Sequence, residues 1–228
     1  MIYFLAVQST YTAIEVGVFA QEKLLAFALE DKIRASKNLV PLIAYTLEQA
    51  GITLEQLSFI AVNQGPGPFT TLRVAIATVN GLAFASQLPL IGIDALDAFL
   101  QEYTATPSSA KADSSTQATL VLFNAFNNDV YYALKRPSFQ ISKGYKNIDV
   151  LLEHIQQELA GQSLICLGNG TALHQEKIRQ LFGTQASIPQ PLPSQNSLQQ
   201  LGLLALEKWS KKDGLIRQLM PLYLKQAL

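Results

Sequence analysis

Short apolar runs of strand length alternate with longer segments of helical period along this chain. Tyr3–Val7, Ala13–Phe19 and Lys23–Ala28 read as three successive strands, rich in β-branched and aromatic residues and joined by short turns. A helix follows over about Ser36–Ala50, with Gly51 suited to its left-handed C-terminal cap. Ser58–Asn63 reads as a buried strand, Gly65–Phe69 as a tight loop, Thr70–Ser86 as a helix and Leu88–Ile93 as another buried strand. Asp94 is placed to cap a helix running to Tyr103.

Thr104–Ala118 carries almost no large apolar side chain, so it reads as a linker or flexible insertion. Residues 119–228 then form a second α/β half. Two strands turn at Asn127–Asn128, an amphipathic helix spans Asn147–Ala160, and Ser163–Gly168 is a buried strand before a helix to Phe182. A helix over about Ser197–Lys211 and an apolar tail, Leu219–Leu224, that docks onto the body complete it. Strands followed by helix, strand and helix occur in both halves, which points to a duplicated unit.

Charge changes the picture more than length does. Of 228 residues, 15% are charged and 49% hydrophobic, with 17 basic against 17 acidic side chains. A neutral chain lacks the broad basic field that holds nucleic acid unaided, and this composition excludes disorder. The single cysteine, Cys166, excludes an intrachain disulfide framework. Val74–Ile93 has no charge, but Asn80, Gly81, Gln87 and Pro89 interrupt it. It reads either as a membrane span or, more simply, as a buried helix and a buried strand. The N-terminus shows neither the basic region nor the cleavage site of a signal peptide.

Candidate chemistry is sparse. Gly65-Pro66-Gly67-Pro68-Phe69-Thr70 opens a helix, where free N–H groups attract anions. Two prolines remove donors and no Lys-Ser or Lys-Thr follows, so a rigid turn is the competing reading. With Gly65, Gly67, Thr70 and Arg73 as a nucleotide-proximal loop, a small-molecule phosphotransferase is the alternative function. Such an enzyme needs a carboxylate at the end of the first strand, where this chain has Gln8-Ser9-Thr10. No metal-ligand spacing and no nucleophile–base pairing is found, so neither a metal site nor catalytic residues are assigned.

The helix at 70–86 carries one charge, Arg73, and many small residues; the helix at 36–50 is also charge-poor. Two such neighbours bury one face on a sheet and leave another bare, the mark of an interface unless the linker or tail covers it. The expected contact residues are Leu39, Leu42, Ile43, Leu47, Ala75, Val79, Leu82, Ala83 and Ser86.

The string IAVNQGPGPFTTLRVAIATVNGLAFASQLPLIGI, preceded by NLVPLIAYTLEQAG, resembles the TsaB (YeaZ) family along essentially the whole chain. That resemblance implies an actin-like, sugar-kinase-like (ASKHA) α/β fold of two ribonuclease-H-like subdomains, residues 1–103 and 119–228. It implies a cytoplasmic, non-catalytic partner of the paralogue TsaD in threonylcarbamoylation of tRNA adenosine 37, in an assembly that includes the ATPase TsaE. It further implies pairing through the two helices, with TsaD or with a second copy, indirect contact with tRNA, and ATP or ADP only in the partner complex. The family's usual Asp-Thr-Ser reads Gln8-Ser9-Thr10, its His-Ser reads Ala35-Ser36, its Ser-Phe-Thr-Gly reads Pro68-Phe69-Thr70-Thr71, and its Asp-Ala-Arg reads Asn124-Ala125-Phe126. A diverged member without the partner is the remaining alternative.

Overall fold

A computed structural model describes residues 1–105, 117–138, 140–159 and 161–224. The chain divides into two compact units, one of Met1–Ala98 with Ser197–Leu222 and one built on Phe99–Asn196.

In the first unit, β1 (Tyr3–Ser9), β2 (Ala13–Ala20) and β3 (Lys23–Asp31) form an antiparallel meander. Helix α1 (Ala35–Ala50) leads to β4 (Phe59–Gly65), α2 (Phe69–Ser86) and β5 (Leu90–Asp94). β4 and β5 add to β1 in parallel, giving the order β5-β4-β1-β2-β3. β1 is buried on both faces because its residues serve two cores in alternation. Leu5 and Val7 face the core under α1 and α2, while Phe4 and Ala6 face the opposite one.

Asp94 Oδ1 accepts from Leu96 and Asp97 N–H, starting α3 (Ala95–Ala105) as the sequence leads one to expect. The second unit repeats the plan. β6 (Gln117–Asn124), β7 (Asp129–Lys135) and β8 (Ile141–Asn147) form a meander, followed by α4 (Ile148–Leu159) and β9 (Ser163–Leu167). Short helices α5 (Asn169–Leu173) and α6 (Gln175–Phe182) lead to β10 (Ala186–Ser187), and the order is β10-β9-β6-β7-β8. Each sheet joins an antiparallel meander to parallel strands through its first strand, so the duplication hinted at by the sequence is seen in topology.

Cys166 lies on β9, fully buried, and its thiol is pushed up to about 12 by desolvation. Above the unfolded thiol's pKa of ~8.5 the unfolded chain loses this proton while the folded chain keeps it. Stability therefore falls as pH rises beyond that value. The thiol is expected to resist thiol-specific reagents at pH 8 until denaturant is added, and reaction in the native state contradicts the burial.

The expected second half, 119–228, is corrected at its C-terminal end. Helix α7 (Leu198–Lys211) packs on the first sheet, on the face opposite α1 and α2. Ser197 caps it, accepting from Gln200 N–H. Phe4 stacks on Phe19 at 4.9 Å and on Phe59 at 4.5 Å between ring centroids, and Phe59 stacks on Trp209 of α7 at 4.7 Å. Gly202 permits this approach, since a Cβ there would lie 2.6 Å from the Phe19 ring. An amphipathic helix records that it needs a partner, not which sheet supplies it. Four residues of the expected linker are corrected: Thr104 and Ala105 belong to α3, and Gln117 and Ala118 to β6. Residues 106–116 lie outside the described residues.

Candidate functional site: the outward face of two helices and the loop before the second

The tail does dock, as its apolar residues imply, and it does so beside α2. β11 (Leu215–Ile216) pairs antiparallel with β5. Leu219 is buried in the α1–α2 core. The Asn80 side chain holds its backbone twice, accepting from Leu219 N–H at 2.8 Å and donating to its C=O at 2.9 Å. Gln64 C=O accepts from Leu222 N–H, and its amide donates to Met220 C=O. The tail thus covers the Asn80 flank of α2 and leaves its other side open.

On that open side α2 presents Arg73, Ala77, Gly81, Phe84 and Ala85, and α1 presents Val40, Pro41, Ala44 and Tyr45. Phe84 is 80% exposed, Val40 56% and Tyr45 52%. The only charged side chains on the two helices are Lys37, Glu48 and Arg73. Gly81 costs ~1 kcal/mol relative to alanine within a helix, and a Cβ there would meet nothing within 4 Å. Packing among the described residues gives no reason for this glycine.

The expected contact residues need correction. Leu39, Ile43, Ala75, Val79 and Ala83 are at most 3% exposed and form the core of the first unit. Leu42, Leu47 and Leu82 are half-buried against the same core, and Ser86 is half-buried with its hydroxyl donating to Leu82 C=O. Both helices form over the expected residues, but most of the residues named on them lie on the inward face. A helix apolar all round does not announce which side meets the sheet. One signal was available: Arg73 marks the outward side, and steps of four residues from it lead to Ala77, Gly81 and Ala85.

The loop at the head of α2 is tied to the end of β1. Gly65 adopts φ +101°, its N–H donating to Asn63 Oδ1, and a Cβ there would strike Leu72 Cδ2 at 2.9 Å. Ser9 Oγ donates to Thr71 Oγ1 at 2.7 Å, which donates in turn to Pro68 C=O. Thr71 therefore faces inward, while Thr70, named above for the nucleotide-proximal loop, is exposed. The Arg73 guanidinium stacks 3.5 Å from the Phe69 ring centroid. Gly67 borders open space.

Gln8 is 1% exposed and its amide donates to Glu15 Oε2 at 3.3 Å. Burial holds the Glu15 carboxyl above its ordinary range. Thr10 Oγ1 spends its bonds on the turn, donating to Ala13 C=O and accepting from Ala13 N–H. This strand end offers an amide and hydroxyls, which orient a ligand but do not carry a proton at neutral pH. Among the described residues no group of three or more His, Cys, Asp or Glu could hold a metal ion. By length and composition α2 could cross a membrane. Thr71, Leu72, Ala75, Ile76, Val79 and Ala83 are nonetheless buried against the sheet, as in a core helix.

A family model described as TsaD: tRNA N6-adenosine threonylcarbamoyltransferase matches residues 32–208, from α1 through most of α7. The chain belongs to this family. TsaB (YeaZ) proteins are among its relatives. It is 24% identical over 203 residues to the Haemophilus influenzae tRNA threonylcarbamoyladenosine biosynthesis protein TsaB, covering 85% of this chain and 80% of that protein. It is 28% identical over 98 residues to the TsaB of Buchnera aphidicola from Schizaphis graminum, spanning 43% of this chain and 47% of that protein. A match to an uncharacterized Mycobacterium leprae protein spans 36% of that protein, so the chain covers about half or less of some curated relatives. Among solved structures, YeaZ from Pseudomonas aeruginosa superposes with a TM-score of 0.71 at 23% identity, over 98% of this chain and 100% of that one. The fold is the actin-like, sugar-kinase-like one expected from the sequence.

Proposed function

We propose that this family member is a non-catalytic subunit in threonylcarbamoylation of tRNA adenosine 37, and that it acts by docking onto the catalytic paralogue TsaD. The observation that carries the reading is the nearly uncharged stripe Ala77–Gly81–Phe84–Ala85 on α2 beside Val40, Ala44 and Tyr45 on α1. Small residues let a facing helix approach closely, and Phe84 supplies an anchor of the kind that dominates interface energies. The end of β1, with Gln8 in the position a phosphotransferase gives to a carboxylate, supports a role without chemistry of its own. In this reading TsaE joins the larger assembly, tRNA is reached through the complex in the cytoplasm, and ATP or ADP binds only there.

Phe84→Glu tests it. The side chain is 80% exposed, so the free protein should keep its unfolding midpoint. A desolvated charge at the centre of an interface costs several kcal/mol, so affinity for TsaD, read by calorimetry, should fall about 100-fold or more. Unchanged affinity contradicts the assignment. Titration of the isolated chain with magnesium ATP separates this from the phosphotransferase reading, which requires micromolar binding without a partner.

A further inference from the structure

The two edges of the first sheet are treated differently. β5 is covered by the chain itself, through β11. β3 ends the sheet on the other side, and no strand lies beside it among the described residues. Its backbone is set for pairing. Thr10 N–H donates to Ala13 C=O and Lys32 N–H to Thr12 C=O. Hydrogen-bonded pairs alternate along antiparallel strands, so Ala26, Ala28 and Glu30 bond to β2 while Phe27, Leu29 and Asp31 turn their backbone groups outward. Asp31 N–H finds only the neighbouring Glu30 carboxylate. Phe27 and Leu29, two residues apart and therefore on one face, are 47% and 58% exposed. A bare edge carrying large apolar side chains is a pairing template.

We propose that β3 is a self-association edge, on which a second copy of this chain pairs antiparallel about Phe27 and continues the six-stranded sheet. The strand's own order selects this occupant. Pairing about Phe27 sets Phe27 against Phe27 and Leu25 against Leu29. It also brings the Lys23 end of one strand to the Glu30–Asp31 end of the other, opposite charges at both ends. Parallel pairing would set like against like. The register slips between Val18 and Phe19, placing a bulge at Leu24–Leu25, so the regular ladder is short and the interface falls in the small class. This surface is distinct from the α1–α2 stripe, and its failure leaves TsaD docking untouched.

Cross-linking reads the register directly. Hydrogen-bonded residues in such a ladder have Cα atoms ~5.5 Å apart, within disulfide reach. At roughly 100 µM protein, suited to an interface of this class, Phe27→Cys should give a disulfide-linked dimer under mild oxidation. Cys166 is fully buried and does not compete. Ala44→Cys, on the exposed face of α1, should not cross-link. Sedimentation equilibrium should show the parent chain dimerising and Leu29→Lys weakening the dimer at least tenfold. A monomer throughout, in which case bulge and flanking charges merely protect the edge, overturns the proposal. So does cross-linking at position 44 as fast as at position 27.

Discussion

Val79→Asp is expected to unfold the first unit rather than release a partner. Val79 is fully buried in the cluster that joins α1, α2 and the sheet, beside Leu39, Ile43, Ala75 and Ala83. A carboxylate there would lie among apolar side chains, so it must either stay charged without a partner or take up a proton. Leaving an uncompensated buried charge costs ~3–5 kcal/mol, and replacing valine also forfeits ~1.5 kcal/mol or more of apolar burial. Domains are stable by only ~5–15 kcal/mol. The variant should lose its cooperative thermal transition or accumulate insoluble, whereas Phe84→Glu, one turn on and outward, should behave as the parent does. A Val79→Asp chain that melts within a few degrees of the parent would show that α2 does not bury this face.

Gly168→Ala is the second large effect, and it tests the other unit. Gly168 follows β9 at φ +94°, and a Cβ there would lie 2.2 Å from Leu122 C=O on the neighbouring β6. Backbone cannot give way as a flexible side chain can. The loop is held from its other side, where Gly168 N–H donates to Pro193 C=O and Asn169 N–H to Ser194 C=O. Unfavourable φ and backbone overlap together should cost about 3 kcal/mol or more. For a chain of this size that corresponds to a midpoint drop of roughly 6–12 °C in calorimetry. An unchanged midpoint would contradict this approach of β9 to β6.

Much of this architecture is legible in residue order because its information is local. Phe4-Leu5-Ala6-Val7 declares a strand buried on both faces, Gly51 ends α1, and Asp94 opens α3. Asn127 and Asn128, both at positive φ, make the turn between β6 and β7. β8 was missed because Ser142, Lys143, Gly144, Tyr145 and Lys146 contain few apolar residues. It forms as an edge strand beside β7, where pairing of its backbone, not burial of its side chains, decides its state.

The sequence by itself determined that α1 and α2 form a nearly uncharged pair, that the first strand ends without a carboxylate, and that two α/β units follow one another. These facts depend on residue identity and local period. Only the tertiary structure decided that Leu39, Ile43, Ala75, Val79 and Ala83 serve the core while Val40, Tyr45, Gly81 and Phe84 face outward. It also decided that α7 returns to the first sheet and that the tail is pinned by Asn80. A helix apolar on every side fits a sheet in several rotations. Which one is taken depends on side-chain fit and on contacts such as Asn80 to Leu219, 139 residues apart, which no local pattern encodes.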